Sequence, residues 1–543
     1  MQLRNPLSIS RSCKLCSLLA VVLCLATTVH SLAQAPAQDF QQAHRDAVNR
    51  QRRIIYNNDG AETAIYMTEP TAENFLEQRT TALAGTAVDS IFYCSRSCGF
   101  GVFTHGTEIG DVFTTKEGRY ENNVTGEMLA AGLDPLQLMV DFAHEHGIEL
   151  FWSMRMNDTH DAQRSAAADI IYRASTLKTS HPEYLLGTSK KRPKYGAWTA
   201  VNFARPEIRD LAVRYFEEVC QRYDVDGVEL DFFRHPVYFP STARGKKATA
   251  EELAAMTDMV RQIREMTQRE GQKRGRPILV AVHCPDSVEY SRAMGLAIDQ
   301  WMEQGLLDLW IAGGTFQLND WAYSVSVARQ QGVKVYPSLD NNRVKDDQAK
   351  QMRNTVETYR ARGSNALAAG ADGVCLFNFF GVFDPKAPKH NLFNELADAE
   401  KLATLDRDYF ASSQGMVRSA SGNYPLESFQ NTETLNGRNP KQVKPGTATD
   451  VKLYVQDAPF SDPAPKLTLR LRFEKLRDAK ALQVRLNGAE LKPTKTSDQW
   501  VDYPVAADDV VQGSNQIQVS LLESDEKPWK LIDCVLNVRF DSQ

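Results

Sequence analysis

Asp231, Asp286 and Asp340 each close a short apolar run, which is how a carboxylate is delivered to the end of a buried strand. In DGVELDFF, residues 226–233, Glu229 and Asp231 share one face of an extended chain and Val228 and Leu230 the other, because side chains alternate along a strand. A parallel strand is covered on both faces and an unpaired buried charge is expensive, so these acids must be paired, hydrated or used. Used, two such groups could cleave a glycosidic bond: one protonates the departing oxygen while the other attacks the sugar carbon or activates water. Asp231 is expected to be the nucleophile or transition-state stabiliser, with Asp286 or Asp340 as proton donor. Glu229, about 6–7 Å deeper along the strand, is expected either to join the chemistry or to orient Asp231 as a buried partner of Arg or His.

Other polar residues fall at the ends of neighbouring apolar runs. Arg155 and Asn157 follow the third run with Asp158, Arg234 and His235 follow Asp231, His283 ends the fifth, and Asn378 ends the eighth. With Trp152, one of several tryptophans near the loops (Trp198, Trp310 and Trp321 are the others), they are the candidate substrate contacts, since aromatic faces stack on sugar rings. Arg155, His160, Arg234 and His235 along one rim would suit an anionic glycan, although the simpler role for Arg155 is an ion pair with Glu229. A metal-dependent hydrolase using Glu229, Asp231, His235 and His283 is the remaining alternative. Barrel metallohydrolases open with an HxH pair that RRIIYNN does not contain, and no Cys/His set has zinc-ligand spacing, so neither metal nor cofactor is expected.

These residues need a scaffold that brings several strand ends together. The strand candidates are 52–58, 88–94, 148–156, 226–232, 277–283, 307–313, 333–339 and 372–380, separated by amphipathic segments. Asp134-Pro135 predicts a capped helix to His146, Pro206 opens another, and Thr249 with Glu252 forms a capping box for a helix to about Gly271. Alternation of this kind predicts an α/β fold, a (β/α)8 TIM barrel over residues 52–410, with long loops after strands two and three at its C-terminal face. The rival open doubly wound sheet would carry a GxGxxG turn after the first strand, and the sequence has none there.

The chain has 543 residues, a formal net charge of -5 and 42% hydrophobic content, with no basic excess of the kind a nucleic-acid partner would require. Residues 1–33 read as a cleavable signal peptide: basic residues, an apolar run from Leu18 to Ala26, then Ser31-Leu32-Ala33. The expectation is a secreted or periplasmic protein with no membrane span after cleavage. Residues 34–51 are polar, 411–449 read as a linker, and 450–543 alternate as a small all-β sandwich with a hairpin at Asn487-Gly488. Cys94 and Cys98 are close enough in sequence to pair, although small buried thiols are the simpler reading.

The run RPEIRDLAVRYFEEVCQRYDVDGVELDFFRHP, residues 205–236, resembles the glycosyl-hydrolase-like 10 family of secreted bacterial barrels. The resemblance implies a glycosidase-like (β/α)8 domain with Asp231 as principal acid. Two positions depart from it: Glu229 stands where that family commonly has His, and Phe232 where it has a second Asp. The strand is also similar to the DGxDxDxE of family 18 chitinases, but Phe233 occupies the place of their acid and cannot donate a proton. Acids on strands four, five and seven are similar to the α-amylase-like layout, and the C-terminal segment looks like accessory sandwiches attached to glycosidases. The resemblance implies a carbohydrate substrate. A glycan-binding barrel without hydrolysis, carrying a sugar-recognising sandwich, is the alternative.

Overall fold

The computed structural model describes residues 39–540 except 96–98, 163–174, 341–343, 345, 378, 380–383, 385, 413–423, 459, 461–463 and 523–526. Eight parallel strands form the first sheet: β1 (Ile54–Asn58), β2 (Val88–Tyr93), β3 (Glu149–Arg155), β4 (Gly227–Asp231), β5 (Leu279–Cys284), β6 (Leu309–Ala312), β7 (Lys334–Pro337) and β8 (Val374–Leu376). They pair in the order β8-β1-β2-β3-β4-β5-β6-β7. A parallel bridge between Ser338 and Cys375 and a 2.7 Å bond from the Leu339 N–H to the Cys375 carbonyl bring the two ends together.

Helices α1 (Ala72–Arg79), α2 (Pro135–Glu145), α3 (Pro206–Arg222), α4 (Ala250–Arg274), α5 (Ile298–Glu303), α6 (Trp321–Gln330) and α7 (Val356–Ala368) lie between successive strands. Their starts follow local chemistry. Asp134 accepts the Leu136 N–H at 2.9 Å, and Thr249 and Glu252 make the reciprocal capping box. Helix α4 passes through Gly271 and stops one turn later at Gly275, whose φ of 74° a residue with a Cβ adopts only at a cost.

Strand alternation divides the core in two. Ile55, Phe92, Phe151, Leu279, Ala281, Leu309, Ile311, Tyr336 and Cys375 face the hollow, with Phe92 and Phe151 stacked at 4.4 Å. Val228, Leu230, Val280, Val282 and Trp310 face outward into the larger cluster beneath the helices. The floor is sealed by a buried ion pair: Arg52 Nε lies 2.7 Å from Glu149, which also accepts from Ser90. Residues 39–49, polar in sequence, are helical and lie against this floor, their Ala47 carbonyl accepting from Arg52 at 2.7 Å.

The C-terminal part holds two antiparallel sheets. With β9 (Arg407–Phe410), β10 (Lys441–Val443), β11 (Thr449–Val455), β12 (Lys466–Phe473), β13 (Leu482–Leu486), β14 (Ala489–Leu491), β15 (Lys495–Thr496), β16 (Trp500–Val505), β17 (Gly513–Leu521) and β18 (Trp529–Arg539), one sheet runs β9-β18-β12-β16-β15, with β10 also on β18, and the other β11-β17-β13-β14. The sandwich therefore recruits Arg407–Phe410 from the expected end of the barrel and Lys441–Val443 from the expected linker, because the long β18 offers an edge for both.

Candidate active site

The upper part of the hollow is polar. Ser153, Glu229 and Ala281 are register neighbours across β3, β4 and β5, and one step nearer the C-terminal face stand Arg155, Asp231 and His283. Asp340, just past β7, and Cys375 of β8 complete the wall. Burial pushes the Cys375 thiol well up, and Glu229, Asp231 and Asp340 push it further, so all three acids act on one interior group.

Asp231 is 1% exposed. Its Oδ1 accepts the backbone N–H groups of Phe233 (2.9 Å) and Arg234 (3.2 Å), and its Oδ2 lies 4.0 Å from Arg155 Nε. Glu229 is fully buried, and burial first, then the neighbouring Asp231, drives its pKa upward. His283 Nε2 donates to the Gly313 carbonyl at 2.7 Å, which leaves Nδ1 as the lone-pair nitrogen, 3.7 Å from Glu229 and 3.8 Å from Asp231. Burial lowers the His283 pKa, so the ring stays neutral. A bare nitrogen facing two acids favours a proton on one of them, and Glu229 is the one whose surroundings demand it. Arg155 pairs with Asp158 and Asp231 rather than with Glu229, and this company keeps it cationic against its burial.

The other expected donors are Asp286 and Asp340. Asp286 has no exposed surface and accepts the N–H groups of Leu318 (2.9 Å) and Asn319 (2.8 Å), stapling the loop after β6 to the end of β5; burial raises its pKa to about 7. Asp340 is also fully buried, its carbonyl accepting from Arg362 at 2.9 Å.

Two expected contacts are corrected by geometry. Trp152 faces away from the hollow: it packs edge-on to Phe216 of α3 at 5.1 Å and donates to Ser95 at 2.6 Å, because its place in β3 has outward parity. Asn157 spends its amide on backbone, donating to Val237 O (2.6 Å) and accepting from Val201 N (2.9 Å), so it ties two loops together. Asn378, and Cys98 of the possible Cys94–Cys98 pair, lie outside the described residues.

A pair not foreseen as a unit sits beside Arg155. His160 Nδ1 donates to both oxygens of the buried Asp158, at 2.7 and 2.9 Å, and Arg155 Nη1 lies 3.4 Å from the same carboxylate. Burial would raise the Asp158 pKa, yet His160, His235 and Arg155 hold it well below the usual range. The D-x-H spacing was the one signal available in the sequence. His235 stacks edge-on to His160 at 4.8 Å and adopts φ +55°, a strained value for a residue other than glycine. Asp158, His160 and His235 offer ligand atoms within 4.8 Å of one another, close enough for a divalent cation. Their bonds, however, are those of a proton network: the Thr159 N–H donates to His235 Nδ1 at 3.2 Å, and Arg234 Nη2 faces His160 Nε2 at 3.3 Å. Two guanidinium groups beside the trio further oppose a cation.

Residues 102–257 match a family described as Glycosyl hydrolase-like 10. No curated protein matches the sequence. Among solved structures, alpha-L-fucosidase isoenzyme 2 from Paenibacillus thiaminolyticus is 14% identical over 65% of this chain and 49% of its own, with a TM-score of 0.39. A cycloisomaltooligosaccharide glucanotransferase from Paenibacillus sp. is 10% identical over 90% and 57%, at 0.35. A GH36 alpha-galactosidase from Geobacillus stearothermophilus is 12% identical over 84% and 56%, at 0.37. The chain spans about half the length of these proteins. Among the described residues no helix is long and apolar enough to cross a membrane. The resemblance carried by residues 205–236 thus falls inside a family match over residues 102–257, a segment that runs from the loop after β2 through β4 into α4 and is similar to glycosyl-hydrolase-like 10 proteins.

Proposed function

We propose that the chain is a secreted glycoside hydrolase acting on a polysaccharide or oligosaccharide at the C-terminal mouth of the barrel, with Asp231 as the carboxylate that attacks or stabilises the sugar carbon. The observation that carries this is the setting of Asp231. One oxygen is fixed by two backbone N–H groups, the other faces a guanidinium 4.0 Å away, and a proton-bearing Glu229 stands one step deeper. Such a carboxylate is held in place before any substrate arrives. The family match covers β4 and supports the same reading. Arg234, His235 and His283 remain the candidate substrate contacts.

The test is the mature chain, beginning at Gln34, incubated with a panel of polysaccharides and assayed for reducing ends. At least one should be cleaved, and Asp231→Asn should abolish cleavage with its melting curve nearly unchanged; a variant that merely fails to fold counts against the assignment. Secretion rests on residues 1–33, and N-terminal sequencing of the exported protein should begin at Gln34.

The burial of Asp231 favours a second reading, a non-catalytic glycan-binding protein on a glycosidase-like barrel. In that case no panel member yields reducing ends, while glycan binding survives Asp231→Asn.

A further inference from the structure

Two basic runs lie on the loops that follow β3 and β4. The first is KKRPK, residues 190–194, and the second RGKK, residues 244–247. All four cations of the first run and all three of the second are exposed. No acidic residue occurs between Glu183 and Glu207 or between Asp231 and Glu251, although the chain as a whole carries a net charge of -5. Glu183 and Glu207, which bracket the first run, pair with His181 and Arg205. Among the described residues none of the seven cations forms an ion pair.

The tertiary structure makes one surface of the two runs. The Tyr195 N–H donates to the Ala243 carbonyl at 3.1 Å, and Gly245 lies so close to the Tyr195 ring that a Cβ there would come within 2.5 Å of it. Lys194 Nζ sits 5.2 Å over the same ring. The tip of the first run is a tight turn: the Lys191 N–H donates to Thr188 Oγ1 at 2.9 Å and the Thr188 N–H to the Lys191 carbonyl at 3.0 Å. The surface adjoins the chain that leaves β4 beyond Asp231, since Gly196 packs on Val237 and the Phe203 N–H donates to the Tyr238 carbonyl at 3.0 Å.

Like charges gathered without acids repel one another, and a partner of opposite sign relieves them. A lipid surface would also need apolar side chains to insert, and among the described residues the exposed large hydrophobics are Tyr66, Val511 and Leu522, none of them in either run. Arg155, expected to help hold an anionic glycan, is instead buried between Asp158 and Asp231.

We infer that this surface binds a polyanionic glycan, one carrying carboxylate or sulfate groups along its chain, and leads it to the mouth of the barrel; this rests on the glycosidase reading above. Anionic groups of successive sugars pair with the exposed Lys and Arg side chains while the chain continues toward Asp231. Pairing at an exposed surface is screened by salt, and a surface of one sign speeds the arrival of the opposite sign.

The experiment measures binding of fluorescein-labelled polygalacturonate, dextran sulfate and uncharged dextran to the full mature chain. Wild type should bind at least one polyanion, and which one separates carboxylate from sulfate recognition. Dextran should not bind, and the affinity should fall between about 0.05 and 0.5 M salt. The reversals Lys190→Glu/Lys191→Glu/Arg192→Glu and, separately, Lys246→Glu/Lys247→Glu should each lose at least about tenfold, the low end of what a one-sign surface contributes to association. Lys492→Glu/Lys495→Glu, at exposed positions of the sandwich, should lose none. Should one rim reversal unfold the chain, the other decides. Equal losses from the sandwich reversal, or none from folded rim reversals, overturn the inference. So does tighter binding of a single-stranded oligonucleotide or of phosphatidylserine vesicles than of either glycan. Asp231→Asn should bind as wild type does. Polyanion binding without cleavage leaves the surface standing and counts against the hydrolase; cleavage of uncharged polysaccharides alone, with no polyanion bound, keeps the hydrolase and removes the surface.

Discussion

Arg353 and Asp533 meet across the junction of barrel and sandwich in a two-pronged ion pair, 2.7 Å on each prong, with neither side chain exposed. Arg353 also donates to the Ser412 carbonyl at 2.6 Å, and its guanidinium lies over Phe410 at 4.4 Å. Removing one partner strands a buried charge. Asp533→Ala should therefore cost about 3–5 kcal/mol, whereas the double change Arg353→Met with Asp533→Leu should recover most of it. Calorimetry decides: a single variant as stable as wild type would show that the pair does not brace the two parts.

Glu229 supplies a pH dependence with a definite sign. Its folded pKa is raised above the ordinary 4.5, so the folded chain holds a proton that the unfolded chain releases. Its unfavourable contribution begins as pH passes 4.5 and grows until the folded pKa is reached. Glu229→Gln, which copies the protonated acid, should melt at least about 2 °C above wild type at pH 8 and level with it at pH 4. The opposite ranking would mean that Glu229 is ionised and paired in the fold.

Asn157 holds the loops at Val201 and Val237 through one amide. Asn157→Ala leaves a buried N–H and a buried carbonyl without partners, a loss of about 1–3 kcal/mol each at most. Hydrogen exchange should quicken at Val201, and proteolysis should find the loop near Val237. If exchange there is unaltered, the amide is not what joins the loops.

Asp286→Ala tests the staple between β5 and the loop after β6. Three N–H contacts from Leu318 and Asn319 lose their acceptor, so melting should fall by several degrees, and any activity should fall in step with the folded fraction. A specific loss of kcat in a fully folded variant would instead return Asp286 to the chemistry.

Much of this was legible because it is local. The period-two run DGVELDFF fixed the parity of Glu229 and Asp231, and both face the hollow. Thr249 and Glu252 declared the start of α4, and Asn487-Gly488 turns a two-residue hairpin at φ 50° and 92°, joining Leu486 to Ala489. Trp152 shows where type and parity pull apart: an aromatic near a long loop suggests a sugar platform, whereas its outward place in β3 sets it against Phe216 of α3.

What the sequence determined alone is the alternation of strands and helices, the delivery of Asp231 by β4 and the family to which residues 102–257 answer. These depend on side-chain periodicity and on contiguous motifs. The tertiary structure alone decided the company of each charge. Arg155 binds Asp158 and Asp231 instead of Glu229, Asp286 turns to backbone N–H groups 32 and 33 residues away, and β9 joins β18 of the sandwich. The reason is physical: a buried charge takes whichever partner the closed barrel places nearest, and that distance is set by loop paths that no local pattern encodes.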